Sequence, residues 1–159
     1  MENLFAPWRM EYIDKNKKEG CIFCEIFKEN NDEKNFVLFR STHSFLLLNR
    51  YPYNNGHLMV VCNLHKKELK DFGKEEILDI FNLLEKAIEA LKKTFSPQGF
   101  NIGANLGEVA GAGVKDHFHI HIVPRWQGDT NFMPLLAETK VISEHLRTTY
   151  KKLLSHFQK

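Results

Sequence analysis

No stretch of this chain approaches the roughly 20 consecutive apolar residues that a membrane span needs. The opening MENLFAPWRMEYI also lacks a basic segment followed by an apolar run of signal-peptide length. A soluble cytoplasmic protein with no membrane partner is the expectation. Cysteine is scarce: there are three, two of them close together in CIFC and one alone at Cys62 inside an apolar run. Such a set does not make a disulfide framework. An excess of one charge is missing too. The 22 Lys and Arg face 20 acidic residues, for a net charge of +2 with neutral histidines. No nucleic-acid polymer is therefore expected as a partner, and any recognition of anions must be local. Internal repeats, low-complexity tracts and shifts of composition that would mark a domain boundary are absent. At 159 residues and 43% hydrophobic, the chain suffices for a single domain, 1–159, with a substantial core.

What is present becomes regular only after the first thirty-five residues, which are polar and interrupted and end in KENNDEKN, an expected exposed turn. Phe36 to Arg40 and Phe45 to Asn49 read as two strands joined across STHS, and Leu58 to Cys62 as a third, entered through the turn NNG. From Glu75 to Phe95, the apolar residues Ile77, Ile80, Phe81, Leu84, Ala87, Ile88, Leu91 and Phe95 keep helical spacing until SPQG stops them. Phe100 to Asn105 reads as a fourth strand, followed by the small-residue loop LGEVAGAG. Ser143 to Phe157 reads as a closing helix. Strands in series with one long helix between them predict an α+β domain, an antiparallel sheet of about five strands covered by a long helix and a C-terminal helix.

The fifth strand is the unusual one. In KDHFHIHIVPRW, His117, His119 and His121 occupy every second position among Phe118, Ile120, Ile122 and Val123. Strict alternation places the three imidazoles on one face of a strand, with neighbours roughly 7 Å apart, near enough to address one small polyanion. A row of three histidines repels itself on protonation unless something anionic or metallic sits there. The glycines of the preceding loop, Gly107, Gly111 and Gly113, permit a backbone close to phosphate oxygens, with amide groups as donors.

HFHIHIV fits the pattern His-φ-His-φ-His-φ-φ, where φ is apolar, and on it the chain resembles the histidine triad (HIT) superfamily of nucleotide hydrolases and transferases. FLLLNRYPYNNGHLMVV is similar to that family's strand, turn and strand, and NLGEVAGAGVKDHFHIH to its phosphate-binding loop and triad. PRW followed by GDTNFMP, with APWRMEYI near the start, looks most like the diadenosine tetraphosphate phosphorylase-like branch. The resemblance implies a single HIT-like domain with an N-terminal extension 1–20 and a C-terminal tail 127–159. It implies that His119 is a nucleophile that forms a nucleotidyl-histidine intermediate. His121 and His57 would then hold phosphate oxygens. By the same resemblance Asn49 is the ribose-binding asparagine, Leu47 helps wall the base pocket, and Asn105 lies near the phosphates. Ala112 and Gly113 depart from the best-known members, which carry a glutamine or a hydroxyl residue there. The activity implied is cleavage of dinucleoside polyphosphates, with nucleoside phosphoramidase or a nucleotide-binding sensor without turnover as alternatives. The implied partners are a small-molecule nucleotide and a second copy of the chain in a homodimer.

CIFC alone fits a redox dithiol, a metal half-site or two buried small residues, and a tetrahedral zinc site needs two more ligands. His65 and His117 are the candidates. Several members of the superfamily, the galactose-1-phosphate uridylyltransferases among them, hold a structural zinc with such a pair and histidines at the corresponding places. The resemblance thus implies a structural zinc on Cys21, Cys24, His65 and His117 that ties the N-terminal segment to the catalytic strand. No organic cofactor is expected.

Overall fold

The computed structural model describes residues 20–129 and 141–158. The stretch APWRMEYI, most of the expected extension, and all of GDTNFMP beyond Asp129 lie outside the described residues. Five strands run β1 (Val37–Arg40), β2 (Ser44–Leu48), β3 (Leu58–Cys62), β4 (Gly99–Gly103) and β5 (His119–Arg125). They form one sheet in the order β1-β2-β3-β5-β4, with every neighbouring pair antiparallel. The α+β architecture read from the sequence is the one observed.

Burial follows sheet position. Strands β2, SFLLL, and β3, LMVVC, are buried at every residue, as near-continuous apolar runs in mid-sheet must be. Their alternate side chains feed two separate cores. Leu46, Leu48, Leu58 and Val60 join Ile120 and Ile122 of β5 beneath the helices. Phe45, Leu47, Met59 and Val61 form a second cluster on the opposite face, with Phe23 and Ile26.

The long helix is Lys74–Phe95, and it buries Ile80, Leu83, Ala87, Ala90 and Leu91 on the first core. Its N-terminus is closed by Glu76, whose carboxylate accepts the Gly73 N–H at 2.8 Å, and its end by Ser96 in a left-handed conformation, φ 47°. Asp79 ties it to the β1–β2 turn by accepting the Ser41 and Ser44 hydroxyls and, at 3.2 Å, the His43 N–H. The closing helix is shorter than the expected 143–157, at Leu146–Leu154, and its Tyr150 hydroxyl donates to the Val37 carbonyl at 3.0 Å.

The N-terminal region corrects the sequence reading. Within the described residues 20–35, where an irregular stretch ending in an exposed turn is expected, Ile22–Glu29 and Asp32–Asn35 are both helical. Calling these α1 and α2, the long helix is α3 and the closing one α4. Helix α1 forms because Phe23 and Ile26, three residues apart, bury one face on the second core.

Candidate functional site

The face of the sheet opposite α3 carries the histidines. Register sets Met59 beside His121 and Val61 beside His119, so both imidazoles rise from the rim of the second core. His57 precedes β3 and is fully buried. It arrives through a turn that requires glycine at position 56. Gly56 has φ +74°, and a Cβ there would come within 3.1 Å of Leu91 and 3.3 Å of Pro124.

The protons in the cluster follow from its fixed partners. A carbonyl can only accept, so His119 Nδ1, 2.9 Å from the His117 carbonyl, carries the hydrogen and leaves Nε2 with its lone pair. A peptide N–H can only donate, so His57 Nδ1 accepts from Tyr53 N at 3.0 Å, and a neutral His57 carries its hydrogen on Nε2. That hydrogen goes to His121 Nδ1 at 2.9 Å, which leaves His121 Nε2–H free to donate. Neutrality is enforced by burial, which lowers His119, holds His57 down at about 3 with help from His121 and His119, and holds His121 at about 4 with help from His119. The rings sit 4.9 Å apart for His119 and His121, and 5.0 Å for His57 and His121.

His117 corrects the expectation that all three histidines address one anion. It lies before the first residue of β5, and its ring turns to the cysteines: Nδ1 is 3.2 Å from Cys21 Sγ and 3.5 Å from Cys24 Sγ. Cys24 Sγ also lies 3.3 Å from His65 Nδ1. One ligand atom from each of Cys21, Cys24, His65 and His117 lies within 4.8 Å of the others. A tetrahedron with Zn–S near 2.3 Å and Zn–N near 2.0 Å has S to N edges of about 3.5 Å, so the four fit zinc. His117 Nε2 donates to the Cys62 carbonyl at 2.8 Å, which turns the Nδ1 lone pair toward the sulfurs. Burial lowers the His117 pKa further, keeping the ring in the neutral form that binds metals.

The remaining candidates are spread around this centre. Asn49 is buried against His57, with Nδ2 3.4 Å from its Nδ1, and Asn49 Oδ1 accepts the Tyr51 N–H at 2.9 Å. Leu47 belongs to the second core. Asn105 Nδ2 reaches the Gly111 carbonyl at 3.3 Å and so braces the loop from within. Gly107 and Gly111 have φ of +89° and +86°, which explains glycine at both, while the backbone of Gly113 makes no such demand. A cleft of about 420 Å³ opens beside Asn105 and Gly107 and reaches His117.

Sequence reasoning missed Tyr53, Asn54 and Cys62. Tyr53 supplies the N–H that fixes His57, and its ring lies tilted against His57 at 4.5 Å and stacked on His121 at 5.6 Å. Asn54 was legible only as a turn former, and nothing marks the Cys62 carbonyl in a sequence.

Comparison with known proteins identifies the family to which this fold and motif belong. Residues 30–128 match the HIT domain. The chain is 37% identical over 166 residues to the AP-4-A phosphorylase of Mycobacterium tuberculosis strain CDC 1551 / Oshkosh, covering 99% of this chain and 85% of that protein. It is 34% identical over 93 residues to the asymmetrical bis(5'-nucleosyl)-tetraphosphatase of Schizosaccharomyces pombe, covering 58% of this chain and 50% of that one. In fold it is similar to the crystal structure of a zinc-bound histidine triad family protein from Mycobacterium smegmatis, with TM-score 0.69 and 22% identity over 87% of this chain and 93% of that one. With the motif, the sheet and these matches in agreement, the chain belongs to the HIT domain family.

Proposed function

We propose that the protein cleaves dinucleoside polyphosphates of the diadenosine tetraphosphate kind by way of a nucleotidyl-histidine intermediate. The observation that carries this reading is the proton arrangement at His119, where Nδ1–H is tied to a carbonyl, Nε2 keeps its lone pair, and the ring lies 4.9 Å from that of His121, itself paired with His57. Nε2 attacks the α-phosphorus, the P–N bond forms, and the P–O bond to the leaving polyphosphate breaks. His121 Nε2–H donates to phosphate oxygens as charge moves onto them, and His57 holds His121 in the tautomer that can donate. Phosphate or water then attacks phosphorus and releases His119. The reading assigns Asn49 to the ribose, Leu47 to the wall of the base pocket, and Asn105, Gly107, Gly111 and Gly113 to the phosphate loop. The names of the phosphorylase and tetraphosphatase relatives support the substrate class.

Cys21, Cys24, His65 and His117 hold a structural zinc in this reading. With four protein ligands it has no open position and supplies rigidity, not chemistry. The chain acts as a single HIT-like domain, 1–159, and pairs as a homodimer through the outer face of α3, where Ile77, Leu78 and Phe81 are exposed. A cytoplasmic location suits a nucleotide substrate and three unpaired cysteines.

Incubation with diadenosine tetraphosphate, with and without inorganic phosphate, followed by mass analysis, tests the activity. ADP formed only with phosphate present identifies phosphorolysis, and AMP with ATP identifies hydrolysis. An intact substrate under both conditions overturns the proposal.

A further inference from the structure

The sequence PRWQGD that follows the histidines closes a loop back onto the His57 turn. Asp129 is nearly buried, its side chain 7% exposed, although its partner Arg125 lies at the surface. Its carboxylate accepts from Arg125 Nε at 2.7 Å and Nη2 at 2.9 Å, from Trp126 N at 3.2 Å, and from Asn54 Nδ2 at 2.7 Å. Asn54, itself 8% exposed, also donates through Nδ2 to the Pro124 carbonyl at 3.1 Å. Both hydrogens of that amide are therefore committed to residues 124 and 129. From Asn54 the chain of contacts runs directly to the site. Its carbonyl accepts the His57 N–H at 3.2 Å, and the preceding residue, Tyr53, gives His57 Nδ1 its hydrogen bond.

We propose that Asp129 is a positioning residue for the His57–His121 pair and acts through Asn54. An exposed i,i+4 pair between arginine and carboxylate contributes little, and an aspartate serving only Arg125 would stay in water. This one is turned inward, where an anion is tolerated only with several donors. Among its donors, Asn54 is the buried one and the one that leads to the site. With Asn54 fixed, Tyr53 N points at His57 Nδ1 and selects the tautomer that donates to His121. Without it the turn can rotate, and misplacement of a catalytic group by about 1 Å costs up to about 10²-fold in rate. The proposal rests on the assignment of His57 and His121 to turnover, but the positioning itself can be read without turnover.

Two measurements on the full chain test it. In the first, Asp129→Ala, Asp129→Asn and Asn54→Ala are assayed on diadenosine tetraphosphate, alone and combined with His57→Ala. Asp129→Ala should lower kcat by about 10-fold with little change in KM. Asp129→Asn, whose amide oxygen can still accept from Asn54, should recover much of that loss. In the His57→Ala background Asp129→Ala should have almost no further effect, because the residue it positions is gone. An equal loss in both backgrounds overturns the proposal. In the second, ¹⁵N-labelled histidine is followed by NMR without substrate. His57 should show a bare Nδ1 and a protonated Nε2 in the parent chain and a mixture of tautomers in Asp129→Ala, or in Asn54→Ala if the former does not fold. An unchanged His57 signature overturns the proposal even if activity falls. If the parent chain leaves the dinucleotide intact, the activity reading fails while the nitrogen signals still decide the positioning.

Discussion

An imidazole attacks phosphorus only as the free base, and at His119 two features secure it: burial lowers the pKa, and the His117 carbonyl takes the other nitrogen's hydrogen. His119→Ala should therefore lose turnover by on the order of 10³-fold or more while keeping nucleotide affinity, since His57, His121 and the glycine loop remain. Full activity in a purified His119→Ala protein would end the mechanism. The same burial makes the folded chain acid-sensitive. His57 titrates at about 3 and His121 at about 4 in the folded protein, while an unfolded histidine takes up its proton near 6.5. Below about pH 6.5 the unfolded state binds more protons, so stability is fully present above that pH and drains away as pH falls toward 4 and then 3. Thermal melts across that window should show a shallower loss for His57→Gln than for the parent chain, and parallel curves would contradict the assignment. At this scale the triad was legible because spacing alone put His119 and His121 on one face. Asp129 was not, since its value comes from a hydrogen bond to Asn54, 75 positions away, which no local pattern reports.

Among the elements, α3 was readable to within one residue because eight apolar side chains, Ile77 to Phe95, kept one period over nineteen positions. The strands were readable to within two residues. Helices α1 and α2 were not. CIFCEIFKE does place Phe23 and Ile26 at helical spacing, but one turn of pattern inside a polar stretch, with a cysteine pair competing for attention, is too short to outweigh the turn-forming NND beside it. The start of β5 was set two residues early because alternation continues through His117, whose ring is drawn to the cysteines. Beyond its buried apolar face, α3 is tied to the β1–β2 turn by one side chain, Asp79. Asp79→Ala leaves the Ser41 and Ser44 hydroxyls and the His43 N–H without their shared acceptor, a cost of about 1–3 kcal/mol. A denaturant titration should show it as a lower midpoint at unchanged slope. An unshifted midpoint would mean that water replaces the carboxylate without penalty.

For the whole molecule, the cysteine and histidine cluster joins α1, the end of β3 and the entrance to β5, three places that no sequence-local contact links. One equivalent of zinc per chain is expected by elemental analysis. Cys24→Ser should lower both metal content and melting temperature, because a metal bound only by the folded chain adds its binding free energy to stability. Freshly purified protein without metal, or a metal-free form that melts at the same temperature, would remove the zinc from this account. The four ligands were legible in the sequence only through the family likeness. CIFC offers half a site, and the other half is made by folding.

The order of the sheet also governs when such a site can exist during synthesis. Strand β5 is the last of the five to leave the ribosome, yet it lies between β3 and β4. Until it emerges, β1, β2 and β3 can already hold together as a three-stranded sheet, whereas β4 has no strand to pair with, since β5 is its sole neighbour among the described residues. Release of β5 therefore joins the two halves of the sheet and installs His119 and His121 in the same event. In the proposed mechanism the nucleophile and its hydrogen-bond donor thus enter only with the strand that completes the sheet.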